Sequence, residues 1–132
     1  MPEPFATSWR VRFDEIDLQG VVHHSEIVKY LEITRLEFWR YLGFTYRELR
    51  EDGYEFIIHD LHLRYLKPLE FDEFIKAIVF VKSLARASFI LGYEIYKQNG
   101  DLAVTAEIEI VCARLNVAHP VALPRKYREK MM

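Results

Sequence analysis

The fold is decided by residues 25–43, SEIVKYLEITRLEFWRYLG. Side chains suited to burial recur there every three or four residues, which is the spacing of one buried helix face. The members of this stripe are Ile27, Leu31, Thr34, Phe38 and Leu42. Ser25 is a suitable N-cap, and Gly43 is the residue that commonly ends a helix. The stretch therefore predicts one long amphipathic helix from about residue 26 to residue 42.

Segments with a period of two, which is typical of half-buried strands, surround this helix. One lies before it, from Ser8 to Phe13, and four follow it, over residues 54–66, 74–84, 88–97 and 102–115. Asn99-Gly100 between the last two is a strong hairpin signal. We therefore predict one α+β domain over residues 1–132, in which a five-stranded antiparallel sheet packs on the helix. Because such a sheet leaves edge strands to be covered, we also expect a homo-oligomer.

Composition excludes several classes of protein. The 132 residues are 51% hydrophobic, with 18 Lys and Arg against 20 Asp and Glu. This balance lacks the basic excess of a nucleic-acid-binding protein, and no apolar run reaches the roughly 18 residues of a membrane span. The start, MPEPFATSWRVRF, does not resemble a signal peptide, and the one cysteine, Cys112, suits a reducing compartment. We expect a cytoplasmic protein without a transmembrane segment.

Common catalytic and metal-binding motifs are missing from the sequence. It contains no glycine-rich phosphate loop and no G-x-S-x-G nucleophile elbow. His59 and His62 fall on opposite faces of a strand, and one cysteine cannot build a thiolate zinc site, so we predict no metal site. His59 interrupts an apolar face. It is either a core histidine with one backbone partner or a residue that lines a pocket.

The acidic loop before the helix, FDEIDLQGVVHHS over residues 13–25, carries the most chemical information. A helix N-terminus offers free N–H groups and partial positive charge, which can polarise a carbonyl oxygen. Asp17 lies just before this terminus, where a carboxylate can serve as nucleophile or general base, and Gly20 would let the backbone approach closely. The alternative is that these acidic residues only form a solvated turn.

Four segments, in order along nearly the whole chain, carry a resemblance to a known family of enzymes. The first is Asp17-x-x-Gly20-Val21-Val22-x-His24 followed by Tyr30-Leu31-Glu32. The others are the strand end Tyr65-Leu66-Lys67-Pro68, the turn Leu84-Ala85-Arg86-Ala87-Ser88, and the tail Pro120-Val121-Ala122-Leu123-Pro124. The sequence is most similar to the 4-hydroxybenzoyl-CoA thioesterase superfamily, especially its YbgC-like branch.

This resemblance implies a hotdog fold and hydrolysis of an acyl-CoA thioester to free acid and CoA. Asp17 would be the catalytic carboxylate, the backbone N–H near His24 the oxyanion donor, and the His24 imidazole an assisting group. The branch has a tyrosine four residues before the aspartate. This chain has Phe13 there, so any role of that hydroxyl is absent or taken by another group.

The resemblance also implies a dimer, often paired into a tetramer, with active sites at the subunit interface. We expect substrate contacts from Gly20, Val21, His59 and Arg86, with Arg86 holding phosphates of CoA. CoA is part of the substrate, so no separate cofactor is expected.

Two other functions stay open on the same fold. One is a hydratase or dehydratase of acyl thioesters, although these usually carry a Gly-Asp-x-x-Pro-x-His loop, whereas Ile16 precedes Asp17 here and no proline follows. The other is a non-catalytic module that binds an acyl thioester or lipid, because a fold alone does not fix a function.

Overall fold

The computed structural model describes residues 1–117 and 119–132 with their side chains and residue 118 by its backbone alone. The helices are α1 (His24–Leu42), α2 (Tyr46–Glu51) and α3 (Arg125–Arg128). The strands are β1 (Phe5–Arg10), β2 (Tyr54–Tyr65), β3 (Phe74–Leu84), β4 (Ser88–Tyr96), β5 (Leu102–Arg114) and β6 (Val117–Pro120). None of the helices in the described part of the chain combines the length and the apolar character that a bilayer crossing requires.

One antiparallel sheet forms the framework of the molecule. Its strand order is β1-β3-β4-β5-β2, and the short β6 pairs with β5. The predicted α+β class and the five main strands are therefore confirmed, whereas β6 was not predicted. The hairpin between β4 and β5 turns at Asn99-Gly100 as expected, with Gly100 at φ 93°.

Helix α1 supplies the centre of the core. Of the predicted stripe, the first four members are buried, and Tyr30 and Trp39 are buried beside them. Trp39 packs edge-on against Phe56 of β2 and Phe89 of β4, with ring centroids 5.6 and 5.7 Å apart. The helix ends at Gly43, which adopts the left-handed conformation predicted for that position.

The start of α1 differs from the prediction. The N-cap is His23, not Ser25, and the helix begins at His24. The Nδ1 atom of His23 accepts a hydrogen bond from the Ser25 N–H at 3.2 Å, so an imidazole lone pair takes the role that a serine oxygen usually has. The expectation failed because it considered only the common capping residues.

Strand β1 is also displaced from its predicted range. It ends at Arg10, and Phe13 opens a short 3₁₀ turn (Phe13–Glu15) with 76% of its surface exposed. Less exposed side chains do alternate with exposed ones through Trp9 and Val11, but Val11 already lies beyond the strand. Its N–H donates to the Glu73 carbonyl at 2.8 Å. The period-two pattern continued into the loop and misled the prediction.

Strand β2 forms one edge of the sheet and contains a bulge. Ile58 pairs with Ile110 and Asp60 with Glu109, so His59 is an inserted residue without a partner on β5. The side chain of His59 is 67% exposed, and its Nε2 lies 3.7 Å from Oε1 of Glu109. The prediction that His59 faces inward is therefore wrong, because a bulge interrupts the strict alternation on which it relied.

Candidate active site

A small hairpin precedes α1 and carries Asp17. Ile16 and Val22 form an isolated bridge at its base, and the Asp17 N–H donates to the Val21 carbonyl at 2.9 Å. The Gly20 N–H closes the turn on the Asp17 carbonyl at 3.0 Å. Gly20 has φ 82°, a conformation that favours glycine, whereas a Cβ there would meet open space. Glycine is thus required by the turn itself rather than by a close backbone approach.

The Asp17 carboxylate is half-buried and oriented by its own turn. Its Oδ1 accepts a hydrogen bond from the Gln19 N–H at 2.8 Å. The hairpin rests on the segment before β3, since the Val22 N–H donates to the Leu69 carbonyl at 2.8 Å and the Phe71 N–H donates to the Gly20 carbonyl at 3.0 Å. These backbone contacts hold the carboxylate on a fixed loop rather than on a free surface segment.

The first turn of α1 lies next to this hairpin. The His23 N–H donates to the Glu15 carbonyl at 3.1 Å, which joins the base of the loop to the helix start. The Ser25 N–H is held by the His23 ring, and the Glu26 N–H by the His23 carbonyl at 2.9 Å. Among the described residues, the His24 N–H has no acceptor. The helix therefore presents the backbone N–H of His24 as a donor, next to the positive end of its dipole.

A groove of about 270 Å³ opens beside this N–H. It is lined by Val22, His24, Tyr65, Leu66, Lys67, Pro68 and Leu69. The Tyr65 hydroxyl, at the end of β2, donates to the His24 carbonyl at 3.2 Å and so ties the strand end to the helix start. In the sequence, Tyr65 and Lys67 were recognisable only as part of the family pattern. Their position at the end of a predicted strand is the signal that could have indicated a role at the site.

The two adjacent histidines stack on each other at the groove. Their ring centroids are 4.1 Å apart and their planes are inclined by 32°. Both side chains are exposed. The His24 imidazole is therefore accessible to a bound molecule, while the His23 imidazole caps the helix.

A partly buried hydrogen bond between Tyr30 and Glu15 fixes the loop against α1. The Tyr30 hydroxyl donates to Oε1 of Glu15 at 2.8 Å, and the Arg12 N–H donates to the same oxygen at 2.8 Å. Burial and the neighbouring carboxylate raise the pKa of Tyr30 far above its usual value of 10. Tyr30 therefore stays protonated and donating at any working pH. The sequence analysis noted Tyr30 without assigning it this contact.

Arg86 lies at the other end of the molecule. It is exposed in the turn between β3 and β4, whereas the Asp17 loop lies near the start of β3, where Phe74 pairs with Arg10. From Phe74 to Leu84 the strand spans about 33 Å. The Arg86 carbonyl accepts from the Leu123 N–H at 2.9 Å, so the C-terminal segment covers this turn. Within one subunit, Arg86 does not join the Asp17 site.

The structure thus brings together four of the predicted site residues and leaves out two. Asp17, Gly20, Val21 and His24 lie on the hairpin and the first turn of α1. His59 is on the exposed edge of β2, and Arg86 is at the far end of the sheet. In the described part of the chain, no cluster of three His, Cys, Asp or Glu side chains is arranged to hold a metal ion.

Comparisons with known proteins agree with this architecture. Residues 11–131 match the family model of the thioesterase-like superfamily. A presumed esterase of Aquifex aeolicus is 38% identical over 101 residues, which cover 76% of this chain and 77% of that protein. The acyl-CoA thioester hydrolase YbgC of Escherichia coli O157:H7 is 26% identical, covering 88% of this chain and 87% of that protein.

The solved structure of a DHNA-CoA thioesterase from Staphylococcus aureus superposes with a TM-score of 0.91 and 28% identity. The match covers 96% of this chain and 87% of that one. The hotdog fold that the sequence implied is confirmed by this likeness. The chain belongs to the thioesterase-like superfamily and is a thioester hydrolase.

Proposed function

We propose that the protein hydrolyses an acyl-CoA thioester to the free acid and CoA. The observation that carries this proposal is the adjacency of the Asp17 hairpin to the acceptor-free N–H of His24, beside an open groove. A carboxylate and a backbone donor at a helix N-terminus are the two groups that cleavage of a thioester requires. The names of the relatives as acyl-CoA thioesterases support the same class of substrate.

The His24 N–H would bind the thioester carbonyl oxygen and hold the negative charge that develops on it. A fixed donor of this kind acts mainly on the transition state, because the carbonyl oxygen gains charge only as the carbon is attacked. The dipole of α1 adds to the effect, since its positive end lies at the same atom. The hairpin that carries Asp17 is anchored to this helix start, so neither group has to be ordered when substrate binds.

Two routes lead from these groups to products. In one, Asp17 attacks the carbonyl carbon and expels the CoA thiolate. The resulting mixed anhydride is then hydrolysed by water. In the other, Asp17 removes a proton from water as the water attacks, and the thiolate leaves directly. In both, the His24 imidazole can donate a hydrogen bond to the leaving sulfur, and the thiolate takes its proton from the water that the hydrolysis consumes.

We also propose that two copies pair along β2. This edge strand exposes large apolar side chains, which a soluble monomer rarely groups on an unpaired edge. They are Ile57, Ile58, Leu61 and Tyr65, with Leu66 directly after the strand. A second copy related by a two-fold axis would cover them and continue the sheet. The association of two such dimers into a tetramer rests on the family resemblance alone.

Such pairing would give Arg86 a place in the site. The Tyr65 end of β2 lies at His24, whereas the Tyr54 end pairs with Arg114, near the β3–β4 turn that carries Arg86. An antiparallel two-fold pairing of β2 brings these opposite ends of the two copies side by side. Arg86 of one subunit would then hold phosphates of the CoA whose thioester lies at Asp17 of the other.

A screen for thiol release over short, long and aromatic acyl-CoA thioesters tests the activity. The expected result is equimolar free CoA and free acid from at least one of them. Addition of water to an enoyl-CoA without thiol release would instead select the hydratase class. Saturable CoA binding without turnover of any thioester would select a binding module.

We further propose that the protein works in the cytoplasm, because its one cysteine is free, as is usual in a reducing compartment.

Subunit complementation tests the composite site. Asp17→Asn and Arg86→Glu chains are co-expressed with different affinity tags, so that mixed dimers can be isolated alongside each parent. If Arg86 acts across the interface, a random mixture recovers about a quarter of wild-type activity, because half of the dimers each hold one intact site. No recovery above the two parent variants would contradict an interface site.

A further inference from the structure

A second and larger cavity, of about 420 Å³, lies along the same helix. It lies between α1 and β2, which run in opposite directions. His24 contacts Tyr65 at one end of the pair, and the Trp39 ring packs against Phe56 at the other. The cavity therefore lies between the same two elements as the His24 groove, further toward the C-terminal end of α1. An acyl group bound with its carbonyl at His24 would extend along α1 toward it.

The walls of this cavity combine apolar and charged side chains. The apolar ones include Leu36, Trp39 and Phe56, and the charged ones are Glu32, Arg35 and Glu55. A cavity of this size that combines apolar walls with a few polar groups is the usual form of a small-molecule site.

Arg35 is the residue of this cavity whose positive charge lacks an anionic partner among the described residues. Its side chain is half-buried, and its Nη1 donates to the hydroxyl of the buried Tyr93 at 3.4 Å. Among the residues that the structure describes, no carboxylate oxygen lies within 4.0 Å of its guanidinium. A guanidinium in a partly buried position normally has an anionic partner, since its charge is costly to desolvate. The Arg35 guanidinium therefore has N–H groups left to donate and a positive charge that no nearby carboxylate balances.

The two acidic residues of the cavity do not supply this partner. Glu55 is bound by Arg50, with Nη1 and Oε1 3.3 Å apart. Glu32 is exposed, one turn before Arg35 on α1. The cavity thus combines apolar walls with the guanidinium of Arg35, whose charge is not balanced by a carboxylate of the described residues. This combination suits a chain that is apolar along its length and negatively charged at its end.

We propose that Arg35 binds a carboxylate at the end of the acyl group remote from the thioester, so that the preferred substrates are thioesters of dicarboxylic acids. This proposal rests on the proposed function. Arg35 follows His24 by eleven residues, about 16 Å along the helix axis. The Arg35 side chain itself covers part of this distance, and an acyl chain of medium length would cover the rest. The guanidinium can hold a carboxylate with two parallel hydrogen bonds.

Matched pairs of substrates test this inference. Release of CoA is measured for adipyl-, suberyl- and sebacyl-CoA against hexanoyl-, octanoyl- and decanoyl-CoA, with the wild type, Arg35→Gln and Arg35→Lys. We expect the wild type to favour one dicarboxylic thioester over its monocarboxylic match by about ten- to a hundredfold in kcat/KM, the range of a charge-assisted hydrogen-bonded pair. Arg35→Gln should lose this ratio, and Arg35→Lys should keep part of it.

Arg40→Gln is the matched control. Arg40 is exposed on the same helix and pairs with Glu37, so its removal should leave the ratio unchanged. Thermal melting of each variant separates loss of selectivity from loss of folded protein.

The outcomes of this experiment separate the two proposals. Equal wild-type rates within every pair, or an Arg35→Gln variant that keeps the wild-type ratio, would overturn the carboxylate site and leave the thioesterase proposal intact. An Arg35→Gln variant whose dimer dissociates while the ratio is kept would assign Arg35 to the subunit contact instead. Absence of CoA release from all six thioesters and from the wider panel would reject the proposed function itself.

Discussion

Replacement of His23 by alanine should impair catalysis through the backbone rather than through a lost acid or base. His23 caps α1 by accepting the Ser25 N–H at Nδ1, and its carbonyl accepts the Glu26 N–H. These two contacts set the first turn, and the proposed oxyanion donor is the N–H directly before them, that of His24. Without the ring, the first turn is free to fray, and this donor is no longer fixed.

The size of the effect follows from the contact that is removed. Loss of an N-cap costs about 1 kcal/mol, which lowers the melting temperature of a domain of this size by roughly 3–5 °C. Complete loss of one oxyanion donor costs about a hundred- to a thousandfold in kcat. Because the N–H of His24 is loosened and not deleted, we expect a fall of about tenfold in kcat for His23→Ala, with a smaller change in KM.

His23→Asn is the matched rescue variant, since asparagine is among the best N-caps. Its kcat and melting temperature should return close to those of the wild type.

If kcat of His23→Asn is as low as kcat of His23→Ala, the imidazole itself takes part in the reaction and the capping argument is refuted.

Three further predictions concern stability and reactivity. A Cβ at Gly92 would lie 2.6 Å from Cε2 of the Phe80 ring on the neighbouring strand. Gly92→Ala should therefore destabilise the fold by about 1–3 kcal/mol, measured by urea unfolding. Phe80→Ala in the same chain should recover most of this loss. Burial acts to raise the pKa of Glu73, but hydrogen bonds from Lys97 and from two backbone N–H groups outweigh it and hold the pKa below its usual 4.5. The stability that these contacts give is complete above about pH 4.5 and is lost as the pH falls through the lower pKa of the folded state. In Glu73→Gln, the free energy of unfolding should therefore depend less steeply on pH in the acid range. An unchanged slope in this range would count against the contact. Burial raises the pKa of the Cys112 thiol to about 11, so a disulfide reagent at pH 8 should label it only after unfolding, and fast labelling of the native protein would contradict its burial.

The elements that bury one regular face were predictable from the sequence. The 3.6-residue stripe from Ile27 to Phe38 places α1 correctly, and the period of two places β3, β4 and β5 within one or two residues. Each of these elements satisfies local propensity and burial at once, so the pattern in the sequence and the structure coincide.

Features that depend on a local irregularity were not predictable. One inserted residue at His59 shifts the register of β2, and nothing in the alternation of Ile57 and Leu61 signals it. Capping by an imidazole at His23 is likewise not predicted by capping rules that consider only serine, threonine, asparagine and aspartate. The position of Arg86 relative to Asp17 depends on which edge carries a second copy, which no pattern within one chain specifies.

The Asp17 site itself was predicted partly from chemistry and partly from resemblance. An acidic residue before a helix N-terminus is a general signal, but turn residues of this kind are common. What the structure adds is the bridge between Ile16 and Val22, which holds the hairpin closed, and the contact of His23 with Glu15, which anchors it to the helix start.

The central claim is that the thioester is cleaved at Asp17, and kcat for release of CoA by Asp17→Asn tests it most directly. Asp14→Asn is the matched control, because Asp14 is an exposed carboxylate of the same loop that pairs with Arg12. We predict that Asp17→Asn folds with a melting temperature near that of the wild type and loses at least about a hundredfold in kcat, while Asp14→Asn keeps wild-type turnover. Equal turnover by Asp17→Asn and the wild type would contradict the account.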